Sequence, residues 1–437
     1  MKPASNSTRM WVSMKDSFWF LPAVYGVISV LAVVLVTIVD FLLLPVIQNV
    51  VPDIVLTNQD IAKSLYSALI TAILTMTTIS FSTIMVVLTT YTTQFSPRTL
   101  QDFMKNRMTQ HVLGVYSFSF IFALLNLLLL TEDKKRLMVS PFFTVVVSIV
   151  CLAFFILFIH HSSRFVQVNN LIGQIRYRTT KIIRGTFSKR DFQEKTEWDE
   201  EEITALKRED PQVILANETG YIQQLQLKNL IQWAKEEGAV LEAEFDIGDY
   251  IQEGMPIFKC WCSREMEAEE KCQEYLLIGN ERVDNQDIEF SIQKLVEISV
   301  KAISPSINDP HTAINCINRI GFLLSELGRH YVPNRYYACD DDQLRLIMEP
   351  KPFREYLYKS FYQIRIYGSD DISVMNGVLE ALYKVATVNG EDVKEDVWSF
   401  SDYMREAFHV DPNSLDYIYF KKQVEKLAAA CNKTVSM

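Results

Sequence analysis

SLYSALITAILTMTTISFSTIMVVLTT, residues 64–90, decides how the rest of the chain is read. These 27 residues contain no Asp, Glu, Lys, Arg or His. At about 1.5 Å per residue, a helix of that length more than crosses the ~30 Å hydrocarbon layer of a bilayer. The stretch is therefore a membrane span, but it is not uniformly apolar. At about 100° per residue, Ser64, Ser67, Thr71, Thr75, Thr78, Ser82 and Thr89 fall within an arc of roughly 80°, a hydroxyl stripe. Leu69, Ile73 and Ile84 lie opposite. Such a face reads in two ways. Its hydroxyls line a path for ions or small solutes around the axis of a homo-oligomer, or they bond back to their own carbonyls and let helices pack closely.

Three more apolar runs accompany it: Phe18 to Val39, Val112 to Leu130 and Leu137 to Ile159. The first is too long for the core of a signal peptide, and no small-residue cleavage site follows it. The expected transmembrane domain is 1–165, with helices at about 18–44, 63–91, 111–130 and 137–160. Asp40, near the outer end of the first helix, is either a carboxylate reaching for the interface or an ion-attracting group that joins the stripe as a pore-lining residue. His160 and His161 point about 100° apart on a helix and mark the interface rather than a chelate. Assigned to alternate sides of the membrane, Lys and Arg number 13 on the side of the N-terminus and 4 on the other. Positive charge stays in the cytoplasm, so both termini are expected there, in a multi-pass protein of a bacterial inner membrane.

The first 190 residues carry 17 Lys and Arg against 7 Asp and Glu, whereas the remaining 247 carry 26 against 46. The balance of +10 before residue 190 and −20 after it separates a basic membrane part from an acidic soluble part, and the acidic part excludes nucleic-acid binding. Seven scattered cysteines fit reduced thiols. Cys260-Trp261-Cys262 has no Cys/His partner pair at zinc spacing, and no metal is expected.

Residues 166–210 read as a connector, basic and then acidic, whose later part is a linker or exposed hairpin. Between 211 and 265, short β-like runs alternate with Gly220, Gly248 and Gly254, which suits a small barrel-sandwich-like module. No lysine between two methionines is present, so the module carries no lipoyl or biotinyl arm, and no cofactor is expected. Residues 266–437 form a helical domain: Ile288, Ile292, Leu295, Ser299 and Ala302 recur at helical spacing, as do Ala313, Ile317, Ile320 and Leu324, and then Phe353, Leu357, Ser360, Ile364 and Tyr367. The fold class is thus four transmembrane helices plus a cytoplasmic α+β region. Ahead of Ala313, Asp309 then Pro310 has the form of an N-cap and first helical residue. A helix start flanked by Asn308, His311 and Thr312 is also a candidate ligand site with Asp309.

Taken together, Ser96-Pro97-Arg98-x-Leu100, Gly220-Tyr221, Gly279-x-Glu281-Arg282, Asp287-x-Glu289-Phe290, Ser304-Pro305-x-Ile307-Asn308-Asp309-Pro310-x-Thr312-Ala313 and Gln363-Ile364-Arg365-x-Tyr367-Gly368 make the chain from about residue 15 to 430 resemble a family of bacterial predicted membrane proteins known as a domain of unknown function. Here Ser306 and His311 stand where the family form has glycine and an aromatic. The resemblance implies a bacterial integral membrane protein and brings no activity or site with it.

No glycine-rich phosphate loop, Gly-x-Ser-x-Gly or His-Glu-x-x-His occurs, and His311, His330 and His409 stand apart from catalytic partners in sequence, so no enzyme is expected. Two functions remain. One is a homo-oligomeric conduit for ions or small solutes with a cytoplasmic regulatory domain. The other is a membrane-tethered scaffold or sensor. Asp40 tilts a conduit towards cations and the basic cytoplasmic belt tilts it towards anions.

Overall fold

The computed structural model describes residues 19–47, 51–94, 107–130, 137–165, 167–187, 192–262, 268–408 and 411–434. The Ser96-Pro97-Arg98 motif, residues 132–136 and His409 lie outside the described residues. The chain divides after Leu171 into two compact units, rather than after residue 165.

The first unit holds α1 (Phe20–Ile38), α2 (Gln59–Gln94), α3 (Arg107–Leu128) and α4 (Ser140–Phe165). All four are long and apolar enough to cross a membrane. α1 runs on through a π-helical turn, Val39–Leu43, that contains Asp40. α3 packs against each of the other three and buries half of its residues. Gly114 lets α1 approach it, since a Cβ there would stand 2.5 Å from the Tyr25 ring. Tyr25 Oη lies 3.1 Å from His111 Nδ1 on the same seam. Ser80 of α2 donates to Tyr116 Oη of α3 at 3.0 Å, a polar tie between two spans.

The expected connector at 166–210, which crosses the division after Leu171, is largely structured among its described residues. α5 (Val168–Thr186) is amphipathic and buries Ile172, Ile175, Thr179 and Ile183. β1 (Gln193–Lys195) and α6 (Glu200–Leu206) follow. The strands are β2 (Gln212–Leu215), β3 (Gly220–Leu225), β4 (Val240–Ala243), β5 (Tyr250–Ile251), β6 (Pro256–Trp261), β7 (Leu276–Gly279), β8 (Tyr336–Ala338) and β9 (Leu344–Ile347). They form a six-stranded sheet in the order β1-β8-β9-β4-β6-β2 and a three-stranded sheet in the order β5-β3-β7. β4 pairs antiparallel with β6 and parallel with β9, which makes the larger sheet mixed. Ile214, Ile222, Leu225, Leu241, Ile251, Ile257 and Phe258, drawn from both sheets, share one core. That core does not close within the expected 211–265 module, because β4 at its centre takes a neighbour from residues 344–347.

Helix α7 (Leu227–Glu236) lies between β3 and β4, and α8 (Ala268–Glu274) precedes β7. The helical part comprises α9 (Ile288–Ala302), α10 (Pro310–His330), α11 (Phe353–Gly368), α12 (Ile372–Thr387), α13 (Glu391–Arg405) and α14 (Leu415–Ala430). The apolar positions expected on α9 and α10 are all buried, and so are Phe353, Leu357, Ser360 and Ile364 of α11. Tyr367, expected with them, is 65% exposed.

Candidate functional site

The hydroxyl stripe is one face of α2, and it faces away from this chain's own helices. Ser64, Ser67, Thr71, Thr75, Thr78, Ser82 and Thr89 are all exposed. Ala62, Tyr66, Ile73, Ser80, Ile84 and Val87 are buried, nearly half a turn away. The sequence leaves open whether Ile73 and Ile84 meet protein or lipid. Both meet protein, and Leu69 beside them is half-buried. Along the stripe, Ser64 Oγ donates to the Asp60 carbonyl at 3.1 Å, Thr71 Oγ1 to Ser67 at 2.9 Å and Thr75 Oγ1 to Thr71 at 2.8 Å. Thr78 Oγ1 donates to the Leu74 carbonyl at 2.9 Å and Thr89 Oγ1 to that of Met85 at 2.8 Å. Each of these hydroxyl protons is committed to the turn before it, so the stripe presents acceptor lone pairs outward.

The structure does not bring Asp40 onto that face. Asp40 is buried, and its Oδ1 and Oδ2 accept from the backbone N–H groups of Val139 at 2.7 Å and Ser140 at 3.2 Å. A carboxylate at the start of α4 satisfies unpaired donors and complements the helix dipole, so Asp40 joins two spans. It borders a cavity of about 20 Å³ lined also by Thr37, Asn126 and Ser140, roughly the room one water needs.

In the second unit, Asp309 caps α10. Its Oδ1 accepts from Thr312 N at 3.1 Å and its Oδ2 from Thr312 Oγ1 at 2.6 Å, with Pro310 in the first turn. Those bonds hold the carboxyl below its usual range. Asn308 takes the left-handed conformation at φ 50°, while Ser306 does not. Asn308 and His311 are exposed, and both carboxylate oxygens of Asp309 are engaged by the cap.

A second constellation joins motifs to which the sequence assigned no role. Arg282 Nε donates to Asp287 Oδ2 at 2.6 Å and Nη2 to Glu289 Oε1 at 3.2 Å, while Lys351 Nζ donates to Glu289 Oε2 at 2.8 Å. Asp287 also caps α9 through Phe290 N at 2.8 Å. Both carboxylates are buried. Burial pushes the Asp287 carboxyl up despite Arg282. Burial acts the same way on Glu289, but Lys351 and Arg282 outweigh it and leave that carboxyl low. Arg282, Asp287 and Glu289 are close in the chain, but Lys351 comes from a distant stretch, so local sequence does not announce the whole cluster. Lys351 Nζ also reaches Asp246 Oδ2 at 3.8 Å and Glu355 Oε1 at 3.9 Å, so the cluster is a clasp of interlocked ion pairs. Elsewhere, Cys339, Asp340 and Asp341 offer ligand atoms within 4.8 Å of one another. Lys235 pairs with Asp340 and Arg345 with Asp341, so the two acids are already engaged by cations.

Four membrane-capable helices and a separate unit of mixed sheet and helices define the class, a membrane protein with a second, α+β unit. The chain belongs to the family described as predicted membrane protein (DUF2254), whose pattern it matches over residues 15–384. It is 26% identical over 318 residues to an uncharacterized protein of Mycobacterium tuberculosis and, to the same extent, to one of Mycobacterium bovis. These matches cover 70% of this chain and 60% of each relative. No solved structure matches.

Proposed function

We propose that the chain is a homo-oligomeric, channel-like conduit for ions or small solutes in a bacterial inner membrane, with both termini cytoplasmic and the extramembrane unit regulatory. One observation carries the reading: the hydroxyl stripe of α2 lies on the face opposite the one packed in its own bundle. In a ring of copies that face turns to the axis, where hydroxyl oxygens replace part of a passing species' hydration. The lone pairs directed outward favour cations and water over anions. The reading assigns no catalytic step and no cofactor.

A membrane-tethered scaffold or sensor is the second reading. The bonds from Thr71, Thr75 and Thr78 to their own helix favour it, because they satisfy the hydroxyls without water. Purified protein in planar bilayers separates the two. A conduit passes current that changes when Thr75 or Thr78 is replaced by valine. An intact, reconstituted oligomer that stays silent across ion gradients and voltages overturns the conduit.

A further inference from the structure

α5 carries Arg176, Arg178, Lys181 and Arg184 and no acidic residue, although the chain beyond residue 190 is strongly acidic. Its apolar face is used up inside the soluble unit, where Ile172, Ile175 and Ile183 are buried. Arg176 stacks 5.2 Å from the Phe322 ring centroid, and Arg184 Nη2 reaches Glu326 Oε2 at 2.8 Å. The opposite face is exposed and carries Gln174, Tyr177, Arg178, Lys181 and Arg184 on an arc of about 120°. Tyr177 is 69% exposed, and a phenol among cations suits a surface that is apolar on one side and wet on the other.

The covalent chain restricts what this face can meet. The membrane-capable helix α4 ends at Phe165 and α5 begins at Val168. Tyr177 therefore lies within about 25 Å of the end of α4 along the chain. That tether holds the cations at high effective concentration beside one extended anionic surface, the bilayer that α4 leaves.

We propose that the exposed face of α5 is an interface for anionic phospholipid headgroups. Arg178 meets phosphate through its planar fork, Lys181 meets it as a compact charge, and Tyr177 sits at headgroup depth. The inference is independent of whether α2 conducts.

The test uses the full chain in nanodiscs of phosphatidylglycerol or phosphatidylcholine, with the photo-crosslinker p-benzoylphenylalanine at position 177 and mass spectrometry of the 170–187 region. A phospholipid adduct is expected in phosphatidylglycerol discs. It should weaken about fivefold for each charge removed in Arg178→Gln and Lys181→Gln, and it should fall in 1 M salt, where the screening length shrinks to about 3 Å. Both side chains are exposed, so unchanged melting of the variants confirms that the fold is kept. Adducts that are equal in the two lipids, adducts that persist in both variants, or crosslinks to protein in place of lipid overturn the proposal.

Discussion

At Gly248 one missing side chain makes room for an ion pair. The residue has φ 97°, and a Cβ there would stand 2.1 Å from Asp287 Oδ2. A side chain of any kind would therefore drive Asp287 off Arg282. The clasp that follows has a pH signature. The Glu289 carboxyl lies below its ordinary value in the folded chain, so its contribution is present above the unfolded value near 4.5 and lost as pH falls through the lower, folded value. Glu289→Gln should lower the melting temperature at pH 7, with the gap from wild type narrowing as pH falls below about 4.5. Removing one partner of a buried pair costs about 3–5 kcal/mol at neutral pH. Differential scanning fluorimetry across that range checks it, and a gap independent of pH would remove Glu289 from the clasp. The sequence announced Asp309 and not Glu289 for a physical reason. A cap and the helix it starts are adjacent in the chain, whereas Glu289 meets Lys351, 62 positions further along, only in the folded chain.

Among the elements, the four spans and helices such as α9 and α10 were legible from long periodic patterns, whereas α5, equally long and amphipathic, read as part of a connector because its four cations dominate the stretch. α9 and α10 bury the residues their spacing marked. β8 and β9 escaped because they are 3 and 4 residues long, too short for alternation to register beside the charges of Arg335, Asp340, Asp341 and Arg345. Yet β9 completes the sheet around β4. A fragment of residues 211–265 should therefore remain unfolded, while residues 168–434, which keep α5, fold. Circular dichroism and amide dispersion of the two fragments check this, and a cooperatively melting 211–265 fragment would restore an independent module. In α2 the stripe itself was legible but its direction was not. Direction depends on which face finds α3 and α4, and Tyr66, Ile73 and Ser80 settle it through contacts made only in the folded bundle.

Over the whole molecule, a basic first 190 residues give way to an acidic remainder, a boundary that falls past the division after Leu171 because the cations of α5 lie beyond it. The proposed topology, with both ends in the cytoplasm, rests on the basic asymmetry across the spans. A reporter that fluoresces only there should light when fused to the C-terminus, and a dark fusion with an active periplasmic reporter would reverse the topology. The central claim is that water meets the outward face of α2 in the assembled protein. Single cysteines at positions 71, 75, 78 and 82, in a background freed of the seven native thiols, test it most directly, since methanethiosulfonate reagents need water to make a thiolate reactive. The account predicts modification at those four positions, with block of current at 75 and 78. It predicts none at the buried positions 73 and 84, nor at 81, which is exposed but off the stripe. Equal protection of all seven positions, in a protein that passes no current, would contradict it.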